Sequence, residues 1–243
     1  MRGFTRRFVS RFTPKRQDAS PGGSAAGYNR LASVYGTFER LAFGNLLSET
    51  RRALLPRLKL PETVLIVGEG PGELLAELLM RFPAAQVTCV EQSAAMIRRA
   101  QTGLPETAHL TWQQADVTGL ELPRCSFDLI VTTFLLDSFG GPVLRRLMGS
   151  LAESLRMGGQ WYYADFAVPR AGWQRRRAQT WLWLLYHFFG WQTGLKVRRL
   201  ENHAALFAAL DLSLDAEQTR SRSLLVTRIY RKAATPSAAS DRN

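Results

Sequence analysis

Val64-Leu65-Ile66-Val67-Gly68-Glu69-Gly70-Pro71-Gly72-Glu73 is the stretch from which the fold can be read. Its apolar, β-branched half has the character of a buried strand, and glycines then recur at alternate positions. Leu74 to Phe82 carries apolar residues at helical spacing. Glycines between a strand end and a helix start let the backbone turn sharply and approach a ligand with no Cβ in the way. The helix start adds unpaired N–H groups and a positive dipole end. A nucleotide-type binding loop on an α/β sheet follows.

Downstream segments repeat the alternation. A strand over Gln86 to Val90 ends at Glu91, roughly 20 residues past the first glycine, where a doubly wound sheet places a carboxylate for ribose hydroxyls. The spacing here is G-x-G-x-G, whereas a dinucleotide fingerprint has G-x-G-x-x-G. Further strands are expected at His109 to Gln113, leading into Ala115-Asp116-Val117, and at Phe127 to Thr133. A fifth, Gln160 to Ala164, follows an expected turn at Met157-Gly158-Gly159 and ends at Asp165. Asn202 to Leu210 reads as a helix, with Leu212 to Gln218 and Leu224 to Tyr230 as a closing antiparallel pair at one sheet edge. The expected architecture is α/β, a Rossmann-like doubly wound, seven-stranded mixed sheet with helices on both faces.

In this order, VLIVGEGPG, VTCVEQS, QADVTGLELP, FDLIVTTFLLD and LRMGGQWYYADF resemble the class I S-adenosylmethionine (SAM)-dependent methyltransferases. The resemblance runs from Tyr28 to Arg231 and is nearest to small bacterial enzymes related to the ubiquinone- and menaquinone-biosynthesis C-methyltransferases. It implies SAM as cofactor. By position, Gly68, Gly70 and Gly72 would line its methionine and ribose, and Glu91, followed by Gln92, would hold the ribose hydroxyls. Asp116 would face the adenine amino group with Val117 beside the ring, and Phe134 and Leu135 would form the floor near the sulfonium. The segment from Tyr28 to Tyr35 resembles an N-terminal helical cap that closes over the cofactor. One position departs: the family usually has an acid two residues before the first glycine, and here Ile66 stands there. By the same resemblance, Glu69, inside the loop, would substitute for that charge near the methionine amine.

The chemistry implied is in-line displacement at a methyl carbon, for which alignment and water exclusion come first. A general base is needed only when the acceptor must lose a proton. Asp137, Asp165 and His187 are the candidates. Each has a plainer reading: Asp137 as a helix cap, Asp165 as a loop anchor, His187 as a core histidine. His109 and His203 look structural.

The 243 residues, 46% hydrophobic, suit one α/β domain with tails. The expected division is a basic arm over 1–27, disordered or amphipathic, a methyltransferase domain over 28–232, and a disordered tail over 233–243. No apolar run reaches the roughly 20 residues of a membrane span. Two cysteines, Cys89 and Cys125, form neither a disulfide framework nor a metal cluster, so no metal is expected and a reducing cytoplasm suits the chain.

The net charge is +12. Arg2, Arg6, Arg7, Arg11, Lys15 and Arg16 crowd the first residues, with Phe4, Phe8 and Phe12 four apart, on one face if a helix forms. Such an arm suits an anionic membrane surface, which would make the protein peripheral to the inner face of a membrane. A lid insertion is expected over roughly 168–199, where arginines flank Trp181-Leu182-Trp183-Leu184-Leu185-Tyr186-His187. Its apolar character points to a small apolar or aromatic acceptor, quinone-like or lipid-like. Two other functions stay open. A nucleic-acid methyltransferase would use the basic arm for phosphates, although Thr133-Phe134-Leu135-Leu136 stands where an N/D-P-P-Y/F tetrad would be. A non-catalytic scaffold would keep the fold and lose SAM. The sequence sets neither the acceptor nor the oligomeric state.

Overall fold

The computed structural model describes residues 45–104, 109–167, 201–221 and 224–233. The expected arm, the cap residues Tyr28 and Tyr35, the lid with His187, and the tail beyond Ala233 lie outside the described residues. Helix α1 (Leu46–Arg52) precedes β1 (Thr63–Val67), α2 (Glu73–Arg81), β2 (Gln86–Glu91), α3 (Ala94–Gln101) and β3 (Leu110–Gln114). Then follow β4 (Phe127–Thr133), α4 (Gly141–Ser154), β5 (Leu155–Phe166), α5 (His203–Ala208), β6 (Leu212–Arg220) and β7 (Leu225–Lys232).

The strands form one seven-stranded sheet in the order β3-β2-β1-β4-β5-β7-β6. Strands β1 to β5 pair in parallel, and β7 runs antiparallel between β5 and β6. The expected sheet and its antiparallel edge are therefore present. Strand order reverses at β1, whose neighbours β2 and β4 lead off in opposite directions. Loops leaving β1 and β4 diverge there and open a crevice.

Alternation along the strands divides the core. Val64 and Ile66 of β1 pack with Cys89, Leu129, Val131 and the α2 residues Leu74, Leu75 and Leu78. Leu65 and Val67 face the other side, with Ile130, Trp161 and the α4 residues Leu144, Leu147, Met148 and Leu151. Each such leucine removed from water contributes about 1.5–3 kcal/mol. Helix α1 is fastened across this frame: the Tyr162 hydroxyl donates to the Arg51 carbonyl at 2.7 Å, and Thr227 Oγ1 donates to the Thr50 carbonyl at 2.6 Å.

One element corrects the sequence reading. Strand β5 begins at Leu155, five residues before the expected start at Gln160. The Met157-Gly158-Gly159 turn is instead an irregularity inside the strand. Register passes from Phe127↔Leu155 to Leu129↔Gln160, and the surplus residues on β5 bulge out with Gly158 at φ 76°. Glycine-rich bulges and turns share one composition, so sequence alone does not separate them.

Candidate functional site

A cleft opens at the carboxyl ends of β1 to β4. Gly68 and Gly70 form one wall, Glu91, Gln92 and Met96 the next, Asp116 and Val117 a third, and Phe134, Leu135, Ser138 and Phe139 the floor. The three loop glycines all have positive φ, at 68°, 65° and 89°, but they do different things. A Cβ on Gly68 would meet Leu135 Cδ1 at 2.7 Å, and one on Gly72 would meet the Ala100 backbone at 2.9 Å. A Cβ on Gly70 would meet nothing within 4 Å. Gly68 and Gly72 thus let the loop seat against the floor and α3, while Gly70 presents bare backbone to open space.

Glu91 ties the second wall to the loop. Its Oε1 accepts the Ser93 N–H at 2.8 Å and its Oε2 the Gly70 N–H at 3.3 Å. Burial raises this carboxyl above its ordinary value, against those same backbone donors. Asp116 is held by its own turn, Oδ1 accepting from the Thr118 N–H at 2.9 Å and the Thr118 hydroxyl at 2.7 Å. Val117 is buried beside it.

Glu69 is buried beneath the loop. Its Oε1 accepts the Leu74 and Leu75 N–H groups at 2.9 and 2.8 Å, so it caps the start of α2 through its side chain. Oε2 is buried with no hydrogen-bond partner among the described residues. Burial pushes the Glu69 carboxyl up to about 7, while the Leu75 and Leu74 amides and the Arg51 cation pull it down. Ile66 is a core residue of β1, packed with the same α2 leucines.

Phe134 has φ 52°, a left-handed conformation that costs a non-glycine residue about 1–3 kcal/mol. Its amide donates to the Ala164 carbonyl at 2.8 Å, and its ring lies 5.3 Å from Phe166 and 5.0 Å from the Arg51 guanidinium. Asp165 braces the turn beyond it, Oδ2 accepting the Asp137 N–H at 3.2 Å and Oδ1 the Phe166 N–H at 2.9 Å. Burial lifts Asp137 to about 6; burial and the neighbouring Asp137 charge lift Asp165 well above the usual carboxylate range.

The structure thus gathers Gly68, Gly70, Glu91, Gln92, Asp116, Val117 and Phe134 around one cleft. Gly72 supports it through α3. Asp137 and Asp165 are brought together, yet both are buried and neither lines the cleft. Asp165 is the loop anchor of its plainer reading. Asp137 does not cap α4, whose first amide, from Gly141, donates to Glu201. His203 is buried, its Nδ1 2.7 Å from the Tyr163 hydroxyl, and burial takes it down to about 4. Met96, Ser138 and Phe139 were not singled out in the sequence, although each lies within a few residues of a strand end. Arg51 carried no sequence signal, because its place beside Phe134 comes from the docking of α1.

The donor set fits SAM. A carboxylate at Glu91 for a ribose diol, a polar and an apolar side chain at Asp116 and Val117 for an adenine, and bare backbone at Gly70 match a nucleoside ligand. The comparisons agree. Residues 64–159 match a family described as a methyltransferase domain. A trans-aconitate 2-methyltransferase from Azoarcus sp. (strain BH72) is 35% identical over 121 residues, 49% of this chain and 46% of that protein. A malonyl-[acyl-carrier protein] O-methyltransferase from Anoxybacillus flavithermus (strain DSM 21510 / WK1) is 30% identical over 131 residues, 54% of this chain and 48% of that protein. The chain spans about half the length of these curated relatives. The N-methyltransferase NodS from Bradyrhizobium japonicum WM9, solved with S-adenosyl-L-homocysteine, shares the fold, with TM-score 0.61 and 16% identity over 85% of this chain and 98% of that one. Residues 64–159 thus carry a methyltransferase domain, and the chain shares the fold of SAM-dependent methyltransferases.

Proposed function

We propose that the protein transfers a methyl group from SAM to a small apolar or aromatic acceptor. The observation that carries this is the floor of the cleft, where Phe134, Leu135 and Phe139 offer apolar surface next to the wall that fits a nucleoside. SAM, when bound, supplies an already activated methyl group on a sulfonium. The chain's part is to hold and align. Glu91 receives the ribose hydroxyls while anchoring Gly70, and Gln92, Asp116 and Val117 select the base. Phe134 and Leu135 exclude water from the reacting side. Asp137 and Asp165 shape the floor from behind and exchange no proton with the acceptor. His187, Tyr28 and Tyr35 are proposed to complete the site from the lid and the cap.

A second reading concerns the acceptor alone. The relatives described above are named for trans-aconitate and a malonyl-carrier, both carboxylates. A carboxylate is already anionic at neutral pH and needs no general base, which suits a cleft that neither buried aspartate lines. Methyl-labelled SAM offered with hydroquinones, phenols, and dicarboxylic acids separates the two: label in the phenolic or quinol products supports the first, and label only in esters replaces it with the second. Label in RNA instead would favour the nucleic-acid alternative, and failure to bind SAM the scaffold. The basic arm over residues 1–27 is proposed to rest on an anionic membrane face. Among the described residues no helix is long and apolar enough to cross a membrane.

A further inference from the structure

The turn leaving β4 supplies Phe134, Leu135, Ser138 and Phe139 to the cleft, and the end of β5 holds that turn in place. The Phe134 amide donates to the Ala164 carbonyl at 2.8 Å, and the Asp137 amide to Asp165 Oδ2 at 3.2 Å. Phe134 keeps its φ of 52° because the surroundings hold it there. The brace, however, joins two buried carboxyl groups, Asp137 at 7% exposure and Asp165 at 0%. Among the described residues no cation acts on either. The charged and titratable groups nearby face other partners. Tyr163, on the same face of β5 as Asp165, is bonded to His203 of α5 and acted on by Arg228 and Tyr230 of β7. Arg51 of α1 lies over the Phe134 ring. Two carboxylates in one dry site without a counter-ion cannot both be charged cheaply, so the pair retains a proton.

We infer that Asp137 and Asp165 form a proton-operated latch behind the cleft floor, seated while the pair holds a proton and released when both carboxyls are charged. The latch goes beyond the SAM reading but takes its ligand from it, and neither aspartate touches that ligand. Asp165 grips the backbone of Asp137, so two like charges can part only if the brace opens. An open brace lets Phe134 leave its left-handed conformation, and the apolar floor moves with it. The seated floor binds more protons than the released one, so it is favoured at low pH and lost as pH rises. Glu91 works in the opposite direction, because a ribose acceptor strengthens as it ionises. A fall in nucleoside affinity with rising pH therefore does not come from Glu91.

The probe is 5′-methylthioadenosine, a nucleoside with no group of its own that titrates near neutrality. Calorimetry should show the wild-type full chain binding it about tenfold more weakly at pH 9 than at pH 6. Asp137→Asn removes one charge and leaves the brace, since Asp165 holds the backbone amide of residue 137. Its affinity should change by less than about threefold over the same range. Glu69 titrates in both proteins, so the difference between them isolates the aspartate pair. Hydrogen exchange without ligand gives a second readout. Corrected for intrinsic rate, protection of residues 134–139 should fall from pH 6 to pH 9 in the wild type and hold in the variant. Parallel slopes in the two proteins, or protection that ignores pH, overturn the latch and leave the SAM reading standing. Failure of the wild type to bind S-adenosyl-L-homocysteine at pH 7 overturns the SAM reading, and the exchange comparison then decides the latch. If Asp137→Asn does not fold, Asp165→Asn takes its place in both measurements.

Discussion

Glycines at 70 and 72 look alike in the sequence and should fail differently. Gly72→Ala adds a Cβ 2.9 Å from the Ala100 backbone at a left-handed residue, so thermal unfolding should register a loss of about 2 kcal/mol or more. Gly70→Ala meets open space and should cost only about 1 kcal/mol of backbone strain. Its methyl group enters the cleft, however, and titration should show SAM affinity falling at least as far as stability does. Glu91→Ala removes both the proposed ribose acceptor and the partner of two backbone donors. Calorimetry should find SAM weakened about tenfold or more, with a stability loss of about 1–3 kcal/mol from the orphaned amides; unchanged affinity would refute the ribose role. These positions were legible because loop glycines and an acid ending the second strand are set by local chain geometry. The cap made by Glu69 was not, since it depends on how the loop folds back over α2, and Arg51 depends on a helix docked from elsewhere.

Elements tell the same story at longer range. Strand β4 was read with the limits it has, Phe127 to Thr133, because its aliphatic and β-branched residues run up to Phe134, where the backbone turns left-handed. Strand β5 was read short, because a bulge with two glycines has the composition of a turn. The brace from Asp165 to the turn after β4 joins two strands and could not be read from either. It has a consequence for stability. Glu69, Asp137 and Asp165 all hold protons more tightly in the folded chain than in the unfolded one, chiefly through burial. Between about pH 4 and 7 the folded state binds more protons, so these groups stabilise most at low pH and lose that contribution as pH rises. His203 works the opposite way, losing stability as pH falls from about 6.5 toward 4. Asp165→Asn keeps an acceptor for the Asp137 and Phe166 amides without the titrating charge. Its melting temperature should fall less than that of wild type between pH 6 and 8, and an equal slope would remove Asp165 from the account.

At the scale of the molecule, strand order reverses at β1 and the diverging loops of β1 and β4 make the cleft. That much followed from the alternation of strand and helix patterns, since parallel crossovers leave few topologies. The acceptor did not follow, because acceptor pockets are built by the most variable segments of a fold. Charge is also a property of the whole chain. Removing residues 1–16 deletes a cluster of arginines and lysine from a protein of net charge +12. Co-sedimentation with anionic vesicles should drop and should already be salt-sensitive in the full chain, while SAM affinity stays the same; undiminished sedimentation would remove the membrane proposal. The central claim concerns the cleft itself. Titration of the full chain with SAM, and with NAD and ATP as controls, tests it most directly: the account predicts micromolar binding of SAM alone, and no binding of SAM, or equal binding of NAD, would contradict it.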